Sequence, residues 1–144
     1  MPFSMSTYEF RTLSPQATLA LRQAVLWPEK PIADLTVPND ETALHLGLFI
    51  KDQHIGVASF FPDNLTVRLR KMAIANSHQG RGLGATLLQE GAHRLKHDGY
   101  RELWCDARVN ALGFYQKLGF NIDPDRFEKS GLIYQVARLN LITL

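Results

Sequence analysis

The sequence predicts an α+β fold in which helices flank a mixed, mostly antiparallel sheet of about six to seven twisted strands. Two apolar runs at 44–50 and 54–61 are separated by the polar segment 51–53, which predicts a β-hairpin. A glycine-rich loop at 79–84 then divides an extended apolar run from an amphipathic helix. Strand and helix patterns alternate after this loop, so the helices are expected on the faces of the sheet.

The first quarter of the chain predicts one strand, one helix and a long irregular segment. Weak alternation indicates a strand over Thr7–Thr12. Ser14 and Pro15 are typical of a helix N-cap and first helical residue, because the missing proline N–H has no partner to lose there. Three prolines within 27–41 predict an irregular, largely surface segment.

The remaining elements follow from the same two periodicities. A turn at 62–64 leads into a strand over 65–75, and 76–78 form the turn that precedes the glycine loop. Apolar spacing predicts a helix over 83–96, which Gly99 terminates. The elements predicted after this helix are strands over 101–107, from 119 onward and over 131–139, with a short helix over 110–118.

Composition indicates one soluble domain over residues 1–144. The chain is 45% apolar and 21% charged, which is ordinary for a globular protein, and its net charge of +2 favours neither nucleic acid nor a membrane surface as a partner. No apolar run approaches the roughly 20 residues of a membrane span. The single cysteine, Cys105, and the lack of an apparent signal peptide predict a reducing, cytoplasmic location.

Residues Gln79–Gly84 predict a phosphate site. A glycine-rich turn at a helix N-terminus presents backbone N–H groups and the positive end of the helix dipole to an anion. The spacing excludes a dinucleotide fingerprint, because the third glycine position falls on Ala85 when counted from Gly80 and on Leu87 when counted from Gly82. A P-loop is excluded as well, since no Gly-Lys-Ser/Thr follows.

The loop and a second motif together resemble the GNAT N-acetyltransferase superfamily. The pattern Q-x-x-G-x-G at 79–84 is followed by A-x-x-F-Y-x-x-L-G-F at 111–120. The matching motifs cover roughly residues 66–122, and the region before about residue 43 varies with the acceptor in this superfamily. The resemblance implies a small single-domain, bacterial-type member with the GNAT acyl-CoA N-acyltransferase fold and acetyl-CoA as cosubstrate.

The resemblance also implies which residues hold the cosubstrate. The end of the strand before the loop would pair its backbone with the pantetheine arm, as an added strand does. The loop would hold the pyrophosphate. Arg108 stands where many members carry a cofactor-contacting asparagine, and its guanidinium would reach a phosphate instead. The implied cofactor-binding residues are Met72, Ala73, Ile74, Gln79, Gly80, Arg81, Gly82, Leu83, Gly84, Ala85 and Arg108.

Tyr115 matches the family tyrosine that protonates the departing coenzyme A thiolate. A phenol with a pKa of about 10 is a suitable donor to a thiolate. The alternative is a half-buried tyrosine that packs beside Phe114. Arg68 stands where histone-type members place a glutamate base, which disfavours a histone-like mechanism and leaves Asp106 as the candidate base.

Arg68 and Arg70 alternate onto one strand face, where they favour an acceptor with a carboxylate or phosphate beside its amine. A solvent-facing row of basic residues is the alternative. Trp27 is predicted to line or cover the acceptor site, or else to cover the edge of the core.

The resulting hypothesis is direct acetyl transfer from acetyl-CoA to a primary amine of a small molecule. The rival hypothesis is an inactive acyl-CoA-binding or interaction module of the same fold. His93 and His97 lie one helical turn apart without a third ligand, so no metal is expected. Exposed edge strands are compatible with a homodimer.

Overall fold

The computed structural model of the chain describes residues 8–144. Within this range the chain forms seven strands and three α-helices: β1 (Tyr8–Thr12), α1 (Pro15–Leu21), β2 (Leu44–Ile50), β3 (Gln53–Asp63), β4 (Thr66–Ile74), α2 (Leu83–His97), β5 (Glu102–Arg108), α3 (Leu112–Lys117), β6 (Asn121–Lys129) and β7 (Leu132–Asn140). The strand order is β1-β2-β3-β4-β5-β7-β6. The β4–β5 pair is parallel, and β1–β2, β2–β3, β5–β7 and β6–β7 are antiparallel. The predicted α+β fold is confirmed.

The first helix begins as predicted. Ser14 is its N-cap, with Oγ accepting a hydrogen bond from the Ala17 N–H at 3.3 Å, and Pro15 is the first helical residue. A π-helical segment, Arg22–Leu26, continues the helical run up to Trp27. The predicted strand before this helix is confirmed from Tyr8 onward, and Thr7 lies outside the described residues.

The segment 27–41 is irregular, as expected, but it is less superficial than its prolines indicate. Leu35, Val37 and Asp40 are buried within it. Two short 3-10 turns, Ile32–Leu35 and Asp40–Thr42, bring these side chains inward. The predicted turn at 62–64 is also displaced: Pro62 and Asp63 lie in β3, and the chain turns at Asn64, whose φ of 57° is left-handed.

The described chain divides into two compact units. The first contains residues 8–61 and Arg70–Gly91, and the second contains Pro62–Leu69 and Ala92–Leu144. Each unit has its own buried apolar residues, and the prediction of one domain over 1–144 stays a prediction. The apolar residues with 0% exposure are Leu46, Leu48, Ile55, Val57, Ala58, Phe60 and Leu87 in the first unit and Val67, Leu103, Ala137 and Leu141 in the second.

Gly91 lets α2 pack directly against the Phe60 ring of β3 in the first unit. A Cβ at this position would lie 2.3 Å from Cζ and 2.6 Å from Cε2 of Phe60, whose ring is fully buried. Gly91→Ala is therefore expected to lower the free energy of unfolding by about 1–3 kcal/mol, measured by urea denaturation. Gly113→Ala in α3 is the control, because a Cβ at Gly113 would meet nothing within 4 Å. This substitution is expected to leave the free energy of unfolding unchanged or to raise it. Equal effects of the two changes would contradict the packing explanation.

The second unit presents two different faces of β5. Leu103, Cys105 and Ala107 point to a buried face, and Trp104 and Asp106 point to a half-buried one, as the alternation predicted. The ladder with β4 covers three pairs, ending at Arg68 opposite Trp104. The ladder with β7 runs the whole length of β5. These ladders fix which side chains share the half-buried face.

Candidate active site

The glycine loop is held in place by the residue that opens it. The Gln79 side-chain amide donates to the Ile74 carbonyl at 2.9 Å and to Asn76 Oδ1 at 3.0 Å. These bonds close the 3-10 turn Asn76–His78 onto the end of β4. The Gln79 side chain therefore stabilises the turn. The predicted contact of Gln79 with a pyrophosphate stays a prediction, and it would be made by the backbone N–H of Gln79.

The glycine loop leaves open space next to the N-terminus of α2. Gly80 and Gly82 have φ angles of 79° and 76°, and a Cβ on either would meet nothing within 4 Å. Helix α2 begins directly afterwards, and its first turn presents N–H groups that the helix itself leaves without acceptors. Thr86 N–H is already bonded to the Gly82 carbonyl at 3.2 Å. The exposed glycine surface and the helix N-terminus fit a pyrophosphate.

The end of β4 lies in the first unit, next to this loop in sequence. Ala73 is buried, and Met72 and Ile74 are half-buried. The preceding residue, Lys71, has a φ of 35°, which side chains rarely adopt within a strand. The Ala75 N–H donates to the Ile55 carbonyl at 2.7 Å, which fixes the strand end. Whether Met72–Ile74 pair with a pantetheine arm stays a prediction.

Tyr115 lies in α3 in the second unit, with its hydroxyl next to the Cys105 thiol. Its ring meets Phe114 and Phe120 edge-on, with centroids 5.0 Å and 5.3 Å away. Burial raises the pKa of the phenol well above its usual value, and the neighbouring Cys105 raises it further. The hydroxyl is protonated at neutral pH, as that of an unperturbed tyrosine also is. The sequence indicated the ring packing but gave no sign of the thiol contact.

The buried thiol of Cys105 is expected to make the free energy of unfolding fall under alkaline conditions. Burial raises the pKa of this thiol to about 11, against an unperturbed value near 9, so the native state keeps a proton that the unfolded chain loses. The thiol contributes its full stabilisation below about pH 9. As the pH rises towards 11, the free energy of unfolding is expected to lose about 2–3 kcal/mol of this contribution. The measurement is urea denaturation of the wild type and Cys105→Ala between pH 7 and 11. The difference between the two proteins is expected to shrink with pH, and a constant difference would contradict the assignment.

Asp106 lies in a cluster of charges and rings on the half-buried face of the second unit. Its Oδ2 accepts from Arg68 Nη2 at 2.7 Å and from Lys129 Nζ at 3.0 Å. The Arg68 guanidinium also lies 4.8 Å from the centre of the Trp104 ring. Arg68 Nε is buried and has no hydrogen-bond partner among residues 8–144. Two cations already contact the candidate base, and its catalytic role stays a prediction.

The other predicted residues are more dispersed. In the first unit, Arg70 rests 5.8 Å from the Phe61 ring centre, and Trp27 is 37% exposed with the Lys71 ammonium 4.3 Å from its ring. In the second unit, Arg108 is exposed at the end of β5. The predicted pairing of Arg68 and Arg70 on an acceptor is untested, but the structure gives the two side chains different aromatic partners.

Two absences hold for the described part of the chain. Among residues 8–144, no group of three or more His, Cys, Asp or Glu side chains is arranged to hold a metal ion. Over the same residues, no helix has the length and apolar character needed to cross a bilayer.

Comparison with known proteins gives consistent results. A family model described as "Acetyltransferase (GNAT) domain" matches residues 13–141. The chain is 31% identical over 133 residues to an uncharacterized N-acetyltransferase, YitI, of Bacillus subtilis (strain 168), covering 86% of this chain and 89% of that protein. The ribosomal-protein-S18-alanine N-acetyltransferase from Escherichia coli superposes with a TM-score of 0.77 at 20% identity, covering 93% of this chain and 94% of that one.

A further crystal structure contains the cosubstrate. It is a GNAT family acetyltransferase from Elizabethkingia anophelis with acetyl-CoA bound, with a TM-score of 0.73 at 18% identity and coverage of 93% of this chain and 98% of that one. The family model, which spans most of the chain, defines an acetyltransferase. The chain belongs to the GNAT acetyltransferase family, and the predicted recognition, activity and cosubstrate are confirmed: it is an acetyl-CoA-dependent acetyltransferase.

Proposed function

We propose that the chain transfers the acetyl group of acetyl-CoA directly to a primary amine of a small-molecule acceptor in a ternary complex. The observation that carries this proposal is the Tyr115 phenol, which stands at the position of the family's proton donor and is packed edge-on between Phe114 and Phe120. An inactive acyl-CoA-binding module needs the ring at this position for packing but has no use for a proton donor. The lone Cys105 supports a cytoplasmic location, where its thiol stays reduced.

We assign the cosubstrate contacts to the residues that the family motifs predict. The loop 79–85 would hold the pyrophosphate through its N–H groups, the backbone of Met72–Ile74 would pair with the pantetheine arm, and Arg108 would contact a phosphate. Bound acetyl-CoA supplies the thioester whose acetyl group is transferred. The open space at Gly80 and Gly82 supports this assignment.

The chain's own residues then have three tasks in the reaction. Asp106 accepts the proton that the acceptor ammonium must lose before its nitrogen can attack. Backbone N–H groups near Met72–Ile74 donate to the oxyanion that develops on the carbonyl. Tyr115 Oη donates its proton to the departing thiolate. Holding both reactants in one complex removes most of the entropic cost of their encounter.

Gly82→Ala tests the loop assignment. An alanine at φ 76° costs roughly 1–2 kcal/mol of backbone strain, and the chain relieves this strain by leaving the conformation that binds phosphate. The dissociation constant for acetyl-CoA, measured by calorimetry, is expected to rise about tenfold. Gly131→Ala is the matched control, since Gly131 has a φ of 79° with equally open space in the β6–β7 turn. Equal losses of affinity would contradict a phosphate role for the loop.

The proposed reaction is tested by measuring coenzyme A release against a panel of amines. The panel contains small primary amines with and without a carboxylate or phosphate. It also contains a peptide with a free N-terminal alanine, because the Escherichia coli neighbour is named as an N-acetyltransferase of a ribosomal-protein alanine. Turnover with a small primary amine is expected. Turnover with the peptide alone would replace the small-molecule acceptor by a protein, and acetyl-CoA binding without turnover on any amine would favour the inactive module.

A further inference from the structure

A cluster in the second unit combines one carboxylate, two cations and two aromatic rings. We call it the Asp106 cluster; its members are Arg68, Trp104, Asp106, Lys129 and Tyr134. Asp106 is the only carboxylate in it, and both cations contact the same oxygen, Oδ2. The Lys129 ammonium also lies 4.7 Å from the centre of the Tyr134 ring. Lys129 therefore places a primary ammonium between a carboxylate and an aromatic face.

Lys129 reaches this place from a distant position in the sheet. It is the last residue of β6 and pairs with Leu132 across a tight turn, in which Ser130 and Gly131 both have left-handed φ angles. Asp106 lies on β5, and β7 runs between these two strands. The Lys129 side chain must cross β7 at Tyr134 to reach the carboxylate. It thus covers the half-buried face of the sheet.

The surroundings of the Lys129 ammonium are those that bind an amine ligand. A carboxylate oxygen accepts a charge-assisted hydrogen bond from a primary ammonium, and an aromatic face attracts the same charge. We propose that the Lys129 ammonium occupies the binding site of the acceptor's ammonium when no acceptor is bound. The acceptor's ammonium then displaces the Lys129 ammonium from Asp106 and Tyr134 when it binds. This inference rests on the proposed N-acetyl transfer and places the acceptor's ammonium at Asp106 before it is deprotonated.

The exchange is inexpensive because it leaves the charge of the cluster unchanged. One cation leaves Oδ2 and another takes its place, so Asp106 is never left without a partner. The Lys129 side chain is 48% exposed, whereas the Asp106 side chain is 15% exposed. A partly exposed lysine pair contributes little and returns readily to water. Arg68, which is 31% exposed and stacked on Trp104, stays and holds the carboxylate in position.

The same geometry predicts selectivity among amines. Oδ2 needs an N–H donor, which a primary ammonium supplies and a quaternary ammonium lacks. A neutral alcohol lacks the charge that both the carboxylate and the ring attract. The cluster is therefore expected to bind n-butylammonium in preference to tetramethylammonium, and to ignore 1-butanol.

The test uses n-butylammonium as the probe and Trp104 as the reporter. Fluorescence titration of Trp27→Phe, which leaves Trp104 as the remaining indole of the chain, gives a dissociation constant. Adding Lys129→Met removes the competing ammonium, and binding is expected to tighten about two- to fivefold. Adding Asp106→Asn instead is expected to weaken binding about tenfold or more. Lys51→Met, which removes a lysine charge in the β2–β3 turn of the other unit, is the control and is expected to change nothing.

The outcomes separate this inference from the proposed reaction. Weaker or unchanged binding in Lys129→Met overturns the displacement, because a structural or ligand-contacting lysine does not compete with the probe. Unchanged binding in Asp106→Asn overturns the ammonium site. The titration requires no turnover, so a chain that binds the amine without transferring acetyl would refute only the reaction. The indole N–H resonance of Trp104 gives the same constants in the Trp27-containing protein if Trp27→Phe does not fold.

Discussion

Asp40→Asn is expected to lower the free energy of unfolding by about 3–5 kcal/mol, because it leaves the buried Arg22 guanidinium without its counter-charge. Arg22 is completely buried and Asp40 is 6% exposed. Two hydrogen bonds join them, from Nη1 to Oδ2 at 2.8 Å and from Nη2 to Oδ1 at 2.9 Å. Urea denaturation at pH 7 measures the loss. A loss below about 1 kcal/mol would show that the pair behaves as an exposed one.

The pair lies within a buried polar network, which explains why it tolerates burial. Arg22 also donates to the Leu35 carbonyl and to Ser59 Oγ, and Asp40 accepts from the Val37 N–H at 2.7 Å. The His45 Nε2–H donates to the Asp40 carbonyl at 2.7 Å. Nearly every polar atom thus has a partner, with Arg22 Nε as an exception. Removing one charge therefore disturbs several bonds together.

Acid should reduce the effect of Asp40→Asn. Burial alone would raise the pKa of Asp40, but hydrogen bonds from Arg22 and from the Val37 N–H outweigh burial and hold that pKa below its usual value. The stabilisation is therefore present above the unfolded pKa of about 3.9 and is lost as the pH falls through the lower native value. The wild type and the variant are expected to converge in stability below about pH 4. Divergence on acidification would contradict this assignment.

The matched control is Asp52→Asn in the β2–β3 turn. Asp52 also pairs with an arginine, Arg11, at 2.6 Å, but its side chain is 88% exposed. Asparagine suits the left-handed φ of 66° at this position, so only the exposed charge is removed. The melting temperature is expected to remain unchanged, which would assign the Asp40 effect to burial.

Tyr115→Phe is expected to lower kcat about 100-fold or more, with little change in the dissociation constant for acetyl-CoA. Phenylalanine keeps the ring contacts with Phe114 and Phe120 and removes only the hydroxyl that protonates the leaving thiolate. Coenzyme A release and calorimetry measure the two quantities on the best amine of the panel. Unchanged turnover would remove Tyr115 from the mechanism, and a large loss of cofactor affinity would make it a binding residue.

Cys105→Ala distinguishes the phenol's own chemistry from its contact with the thiol. The substitution removes the thiol next to the Tyr115 hydroxyl but leaves the hydroxyl in place. Turnover is expected to stay within about tenfold of the wild type, because burial alone still keeps the phenol protonated. A loss as large as that of Tyr115→Phe would make Cys105 a positioning residue for the proton donor.

Most helices and strands could be predicted because they depend on interactions between residues that are close in sequence. The cap at Ser14, the apolar face of α2 and the alternation along β5 each depend on neighbouring residues, so the sequence displays them directly. The sequence predicts the turn after β3 two residues too early, because Pro62 is a typical turn residue, whereas Asn64 supplies the left-handed conformation. One helical face carries Thr18, Leu21 and Arg22, and all three residues are buried. The spacing of Arg22 from Thr18 and Leu21 is the sequence signal that indicates its buried charge.

The sequence by itself determined the elements, the glycine loop and the family, because spacing along the chain records periodicity and local turns. Only the tertiary structure decided the partners of the charged side chains. Asp40 lies 18 residues from Arg22 and Lys129 lies 23 residues from Asp106, and no local pattern joins such positions. The contacts arise from strand register and helix packing, which bring distant residues onto one face. The contact between Lys129 and Asp106 defines the proposed ammonium site.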